Sequence, residues 1–214
     1  MQQSKRVIYD VTLDISNETP VFPGDPGVIV TPVISISDGA IANVSNISIG
    51  SHMGTHIDAP KHFFESGNTI DNLPIDCLVG TARVIEVPEK DFVSAQDLKP
   101  YNIKSGEIII LKTRNSSFIE EPEFNTGFVY LSRDGAEYLV NAGVKTVGID
   151  YLSIEEYESP DSSVHKILLS NNIVIIEGLK LKGIKQGMYE IAALPLKIKG
   201  CDGSPARVIL INNW

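Results

Sequence analysis

The sequence predicts an α/β fold in which helices pack on a mixed sheet and the first third is rich in β-strands. Three observations carry that expectation. The first 50 residues hold alternating apolar runs without a convincing helical period, and residues 107–177 alternate strand-like with helix-like stretches. Apolar residues make up 43% of the 214-residue chain, enough for a substantial core. That length suits one domain over residues 1–214, with no linker, internal repeat or low-complexity segment.

Taken in order, residues 7–13 are rich in strand formers, and 21–26 break into a turn through Pro23, Gly24 and Pro26. Apolar and polar residues alternate over 28–37 and again over 44–49, which predicts two further strands. After a turn at 63–68 and irregular chain around Pro74, residues 81–87 read as a strand. Residues 93–98 carry a helix start, with Ser94 as N-cap and Asp97 three positions on. The apolar run at 107–113 suits a strand buried on both faces. Residues 132–142 have helical spacing and stop at Gly143, a good C-terminal cap, before a strand at 144–150. A helix opens at His165, and 172–177 form an apolar strand that ends in Glu177.

The chemistry concentrates at 51–62. Of four histidines in the chain, His52, His56 and His62 fall in this stretch, with Asp58 among them. Imidazole and carboxylate are the ligands of first-row divalent ions, and this set suits zinc first, with manganese or iron acceptable. Gly54, Thr55, Ile57 and Pro60 argue against a helix. Fully extended, ten residues would span roughly 33 Å, too far for the four groups to meet. The segment is therefore expected to be a strand that curls into a looped cradle, with His56 and Asp58 reaching one ion together.

One loop seldom wraps an ion fully. Glu177 ends a buried strand, where an unpaired charge is expensive, and His165 is the remaining histidine. A second ion held by His165 and Glu177, with Asp58 bridging, would give a two-metal site and use every histidine. Such ions lower the pKa of bound water to about 7. His62 then serves as proton shuttle or, alternatively, as a further ligand. Phe22, Phe63 and Phe64 offer an apolar wall for an aryl substrate or else belong to the core.

The net charge of −9 argues against nucleic acid or an anionic membrane surface as partner, leaving a small-molecule substrate. No apolar run approaches a membrane span and no leader pattern follows Met1, so a cytoplasmic location is expected. Cys77 and Cys201 read as buried thiols, with a bridge between them as the alternative.

Residues 52–62, His-Met-Gly-Thr-His-Ile-Asp-Ala-Pro-Lys-His, resemble the HxGTHxDxPxH signature of the cyclase-like metal-dependent hydrolases, which include bacterial kynurenine formamidases and isatin hydrolases. The resemblance continues through Pro-Gly-Asp-Pro at 23–26, Gly-Ile-Asp-Tyr-Leu-Ser at 148–153, His165, Glu-Gly-Leu at 177–179 and residues 200–207. It implies a swivelling β/β/α domain assembled as a dimer or tetramer. It also implies His52, His56 and Asp58 as ligands of a first ion, Asp58, His165 and Glu177 as ligands of a second, and His62 as the proton-transfer residue. Kynurenine formamidases commonly carry a tryptophan before the Pro-Gly-Asp turn, where this chain has Phe22. The expected activity is hydrolysis of a carbon–nitrogen bond in a small amide, with N-formylkynurenine, cleaved to kynurenine and formate in tryptophan catabolism, as the leading substrate. Opening of a cyclic amide such as isatin is the second reading. A metal-bearing protein that holds a small ligand without turning it over is the third.

Overall fold

A computed structural model describes residues 6–87 and 90–212. Along the described chain the strands are β1 (Val7–Asp10), β2 (Val28–Ile34), β3 (Val44–Ile49), β4 (His56–Asp58), β5 (Val79–Val87), β6 (Phe92–Val93), β7 (Ile108–Thr113), β8 (Tyr130–Leu131), β9 (Thr146–Ile149), β10 (Val174–Glu177), β11 (Gly187–Pro195) and β12 (Gly203–Asn212). The helices are α1 (Ala95–Leu98), α2 (Arg133–Ala142) and α3 (Ser163–Ser170). The expected α/β arrangement with a β-rich first third is what the chain adopts.

The apolar run at 107–113 becomes β7, the middle of the sheet, and Ile108, Ile109, Ile110 and Leu111 are all fully buried. It lies parallel between β5 and β9, and β10 continues the parallel set. On the other side, β11 and then β12 add antiparallel to β5. The short β4 pairs with both β10 and β12, so the mixed sheet closes into a ring of seven strands, which β1 extends along β12. Strand alternation then sorts the apolar side chains into two cores. Ala82, Val84, Ile108, Ile110 and Ile176 pack with Ile57, Val208 and Leu210 inside the ring. Ile109, Leu111, Val147, Ile149 and Ile175 pack against Ala136 and Leu139 of α2 and Val164 and Leu168 of α3 on the outside. Each such buried leucine contributes about 1.5–3 kcal/mol.

Local signals set the ends of the helices. Ser94 donates both its N–H and its hydroxyl to Asp97 Oδ2, at 3.0 and 2.6 Å, the expected start of α1. Ser132 Oγ accepts from Gly135 N–H at the start of α2, and Gly143 ends that helix in a left-handed conformation with φ +75°.

Several boundaries differ from the sequence reading. β1 stops at Asp10, and the chain beyond it is held by Val11 N–H on the Val208 carbonyl and an isolated bridge between Thr12 and Leu179. β2 ends at Ile34 because Ser35 caps a short 3-10 turn at Ile36–Asp38. α3 begins at Ser163, so His165 lies inside the helix and does not open it. β11 and β12, the longest antiparallel pair, had no assignment from pattern. Among the described residues β2 and β3, the two strands expected there, pair only with each other, and Ile29, Val30, Ile34 and Ile47 stay exposed. No described helix is long and apolar enough to cross a membrane.

Candidate metal centre

β4 is three residues long, and its register builds the site. Pairing with β10 sets His56 opposite Glu177 and Asp58 opposite Ile175, so His56, Asp58 and Glu177 share the face that packs under α3. Ile57, between them, points into the ring. α3 carries His165 onto the same face, and the chain curls at either end of β4 to bring in the other two histidines. Before the strand, a turn brings His52 Nδ1 to 2.8 Å from Asp58 Oδ1. After it, the 3-10 turn Pro60–His62 folds His62 back until its ring lies 3.9 Å from that of His52. Two glycines permit this closeness. A Cβ at Gly203 of β12 would sit 2.7 Å from His52 Cε1, and one at Gly178, which has φ +69°, would collide with the Gly54 carbonyl.

All six sequence-predicted residues of the centre therefore meet. His56 Nε2 lies 3.4 Å from Asp58 Oδ1 and 3.2 Å from Glu177 Oε2. His165 Nε2 lies 3.2 Å from Glu177 Oε1 and 3.7 Å from Asp58 Oδ2. Ligand atoms of His52, His56 and Asp58 fall within 4.8 Å of one another, and so do those of Asp58, His62 and His165. Glu177 enters neither group, and its Oε1 also accepts the N–H of Ile154 at 2.7 Å.

The arrangement fits a cation. His56 Nδ1 lies 2.9 Å from the Gly54 carbonyl and donates to it, which leaves a lone pair on Nε2. That lone pair faces two carboxylates, and neither His56 Nε2 nor Asp58 Oδ2, both buried, has a hydrogen-bond partner. Burying a carboxylate charge unpaired costs several kcal/mol, which a bound cation would offset. The charges lean the same way. Burial works against charge on His52, but Asp58 and then Asp202 outweigh it and raise its pKa to about 9. Burial likewise opposes charge on His165, and the hydrogen bonds it donates to Glu155 and Glu177 push its pKa up. Asp58 is held well below the usual carboxylate range despite its burial, chiefly by His52.

A pocket of about 300 Å³ opens onto this cluster, walled by Phe22, Phe63 and Leu152. Phe63 stacks on His165 with centroids 4.8 Å apart and meets His62 edge-on at 4.6 Å. Phe22 packs edge-on against Phe124 at 5.2 Å, which anchors it to the aromatic cluster of Phe124, Phe128, Tyr151 and Tyr157. Phe64 packs against the outer core and does not line the pocket. Burial, with His52 and His165 adding to it against the pull of Asp58, holds the pKa of His62 below its ordinary value.

Comparison with known proteins places the chain in a family. The sequence model of the Cyclase family matches residues 9–156. The chain belongs to that family. Cyclase-like protein 3 of Arabidopsis thaliana is 36% identical, over 97% of this chain and 80% of the relative. The kynurenine formamidase of Salinibacter ruber is 35% identical, over 95% of this chain and 96% of the relative. A solved structure described as a potential metal-dependent hydrolase with cyclase activity superposes with a TM-score of 0.87 at 35% identity, over 98% of this chain and all of that one. An isatin hydrolase bound to thioisatinate gives 0.88 at 21% identity, over 98% and 93% of the two chains, and shares the fold.

In this cyclase-family chain two residues that flank the centre escaped the sequence reading. Asp202 lies 2.8 Å from His52 Nε2 and 3.8 Å from His62 Nδ1. Glu155 lies 3.0 Å from His165 Nδ1. Asp202 sits in the stretch 200–207 that carries the family resemblance, which was its only signal; Glu155 had none. The cysteines are both free: Cys77 is buried as expected, whereas Cys201 is partly exposed and its thiol lies 3.4 Å from Asp202 Oδ1.

Proposed function

We propose that the chain is a metal-dependent hydrolase of the carbon–nitrogen bond in a small amide, with N-formylkynurenine as substrate and kynurenine and formate as products. The observation that carries this reading is the buried His56 Nε2 and Asp58 Oδ2, both without hydrogen-bond partners, beside an aromatic-walled pocket that His56 and His62 line. His52, His56 and Asp58 would hold one divalent ion, and Asp58 with His165 and Glu177 a second, zinc being the first choice. The two oxygens of Asp58 support a bridging role, since Oδ1 faces His52 and His56 while Oδ2 faces His165. When bound, such ions supply charge that polarises a carbonyl and acidifies water at neutral pH.

The chain's own residues do the rest. Phe22 and Phe63 flank an aryl group and exclude water from one side of the amide. Burial favours the neutral form of His62, so the ring would accept a proton at a nitrogen and return it to the leaving nitrogen. Its place within reach of Asp58 and His165 keeps the ligand role as the competing reading, which metal content in His62→Ala separates. The same proposal includes a homodimer or tetramer. The exposed β2–β3 ribbon supports it, because residues 27–49 hold a single charged side chain, Asp38, and let copies of an acidic chain meet without repulsion.

The test is formate release from N-formylkynurenine by the purified protein, with metal content measured on the same sample and a chelated control. Turnover that disappears on chelation and returns with added metal is the expected result. A fully metallated protein that leaves the substrate intact would reject it and turn the search to cyclic amides, with Phe22 the first residue to change.

A further inference from the structure

We propose that Asp202 and Glu155 are positioning residues that choose which ring nitrogen His52 and His165 turn toward the metal centre. The inference rests on the metal reading above. A neutral imidazole carries its hydrogen on one nitrogen and a lone pair on the other, and only the lone pair can bind an ion. A ring nitrogen that meets an acceptor outside the centre keeps the hydrogen, which commits the other nitrogen to the ion.

For His56 the outside acceptor is the Gly54 carbonyl, 2.9 Å from Nδ1. For His165 it is Glu155, whose Oε2 lies 3.0 Å from Nδ1. Glu155 is itself fixed by its other donors. The same Oε2 accepts the backbone N–H of His165 at 2.9 Å, and Oε1 accepts Val164 N–H and the Ser159 hydroxyl, both at 3.1 Å. One carboxylate thus ties the start of α3 to the ring that the helix presents.

His52 is turned the other way. Its Nε2 lies 2.8 Å from Asp202 Oδ2, and its Nδ1 lies 2.8 Å from Asp58 Oδ1. Asp202 is steadied by the Ser51 hydroxyl at 3.2 Å and the Cys201 thiol at 3.4 Å. The ring can lie against β12 because Gly203 offers no Cβ to strike its Cε1. His56 and His165 therefore bind through Nε2, and His52 binds through Nδ1.

The test reads the hydrogens directly. Long-range proton–nitrogen NMR on histidine-labelled protein loaded with zinc reports which nitrogen of each ring carries hydrogen and which is shifted by the metal. The expected pattern is hydrogen on Nδ1 of His56 and His165 and on Nε2 of His52. Zinc on His52 Nε2 would overturn the proposal, because the ion would then sit among His52, His62 and Asp202, whose ligand atoms also lie within 4.8 Å of one another. Zinc on His165 Nδ1 would overturn the role of Glu155.

A variant adds a second readout. Glu155→Ala would leave four donors without an acceptor and is expected to impair folding, so the half-exposed Asp202 serves better. Asp202→Ala should weaken zinc binding about 10–100-fold in a chelator competition and let the His52 hydrogen move between nitrogens. Unchanged affinity with an unchanged His52 tautomer would reject the role of Asp202. Failure of the metal reading itself shows differently, as unaltered protein that takes up no zinc.

Discussion

Two aspartates of this chain are completely buried, yet their surroundings are opposite. Asp150, just past β9, accepts the N–H groups of Thr113 and Ser116 at 2.7 and 3.0 Å, the Thr113 hydroxyl at 2.8 Å and the Ser116 hydroxyl as well. Asp58 is flanked by imidazoles, and its Oδ2 has no donor at all. Backbone and hydroxyl donors complete the first site, whereas the second leaves one carboxylate oxygen without a donor. Burial of a carboxylate is therefore not a mark of function here; the supply of donors around it is. Asp150 belongs to the Gly-Ile-Asp stretch of the family resemblance and ties β7 and the turn after it to the end of β9.

The comparison can be broken from either side, and the largest effect is expected at Asp58. Asp58→Ala removes the residue that both halves of the centre share, so metal uptake and turnover should both vanish in paired metal analysis and formate assays. A variant that keeps its full metal content would remove Asp58 from the ligand set. Next comes His62→Ala, which should lower kcat about 10²–10⁴-fold with metal content retained. Loss of metal instead would make His62 a ligand.

Asp150→Ala should do the reverse of Asp58→Ala. Four donors lose their acceptor, which costs on the order of 2–4 kcal/mol in urea unfolding, while metal stoichiometry in the folded protein stays unchanged. Metal loss without destabilisation would erase the distinction between the two aspartates. The smallest effect sharpens it most: in chelator-stripped protein, Asp58→Asn takes away the carboxylate that chiefly raises the His52 pKa to about 9, so the His52 titration followed by NMR should fall toward its ordinary value. An unmoved His52 pKa would mean that Asp58 and His52 are not paired.

Much of the centre was legible because histidine is scarce in this chain. His52, His56 and His62 stood out by crowding into one short stretch, and Gly54 and Pro60 signalled that the backbone would curl there. Asp202 and Glu155 could not stand out in the same way among 27 acidic residues. Their roles come from the closure of β12 onto β4 and the entry into α3, which are long-range events that local pattern does not encode. The central strand β7 was readable as a continuous apolar run, whereas Gly203 and Pro205 hid the start of β12 by looking like breakers. Alternation in β2 and β3 was read correctly as extended chain, but alternation does not say which surface covers a strand, and among the described residues most of this ribbon stays uncovered.

The most direct test of the account is metal uptake by chelator-stripped protein, titrated with zinc and followed by calorimetry beside Asp58→Ala. The account predicts two ions per chain for the unaltered protein, a rise in thermal stability that grows with free zinc as binding to the native state requires, and neither response in Asp58→Ala. An unaltered protein that binds none of zinc, manganese or iron, and whose unfolding ignores all three, would contradict it.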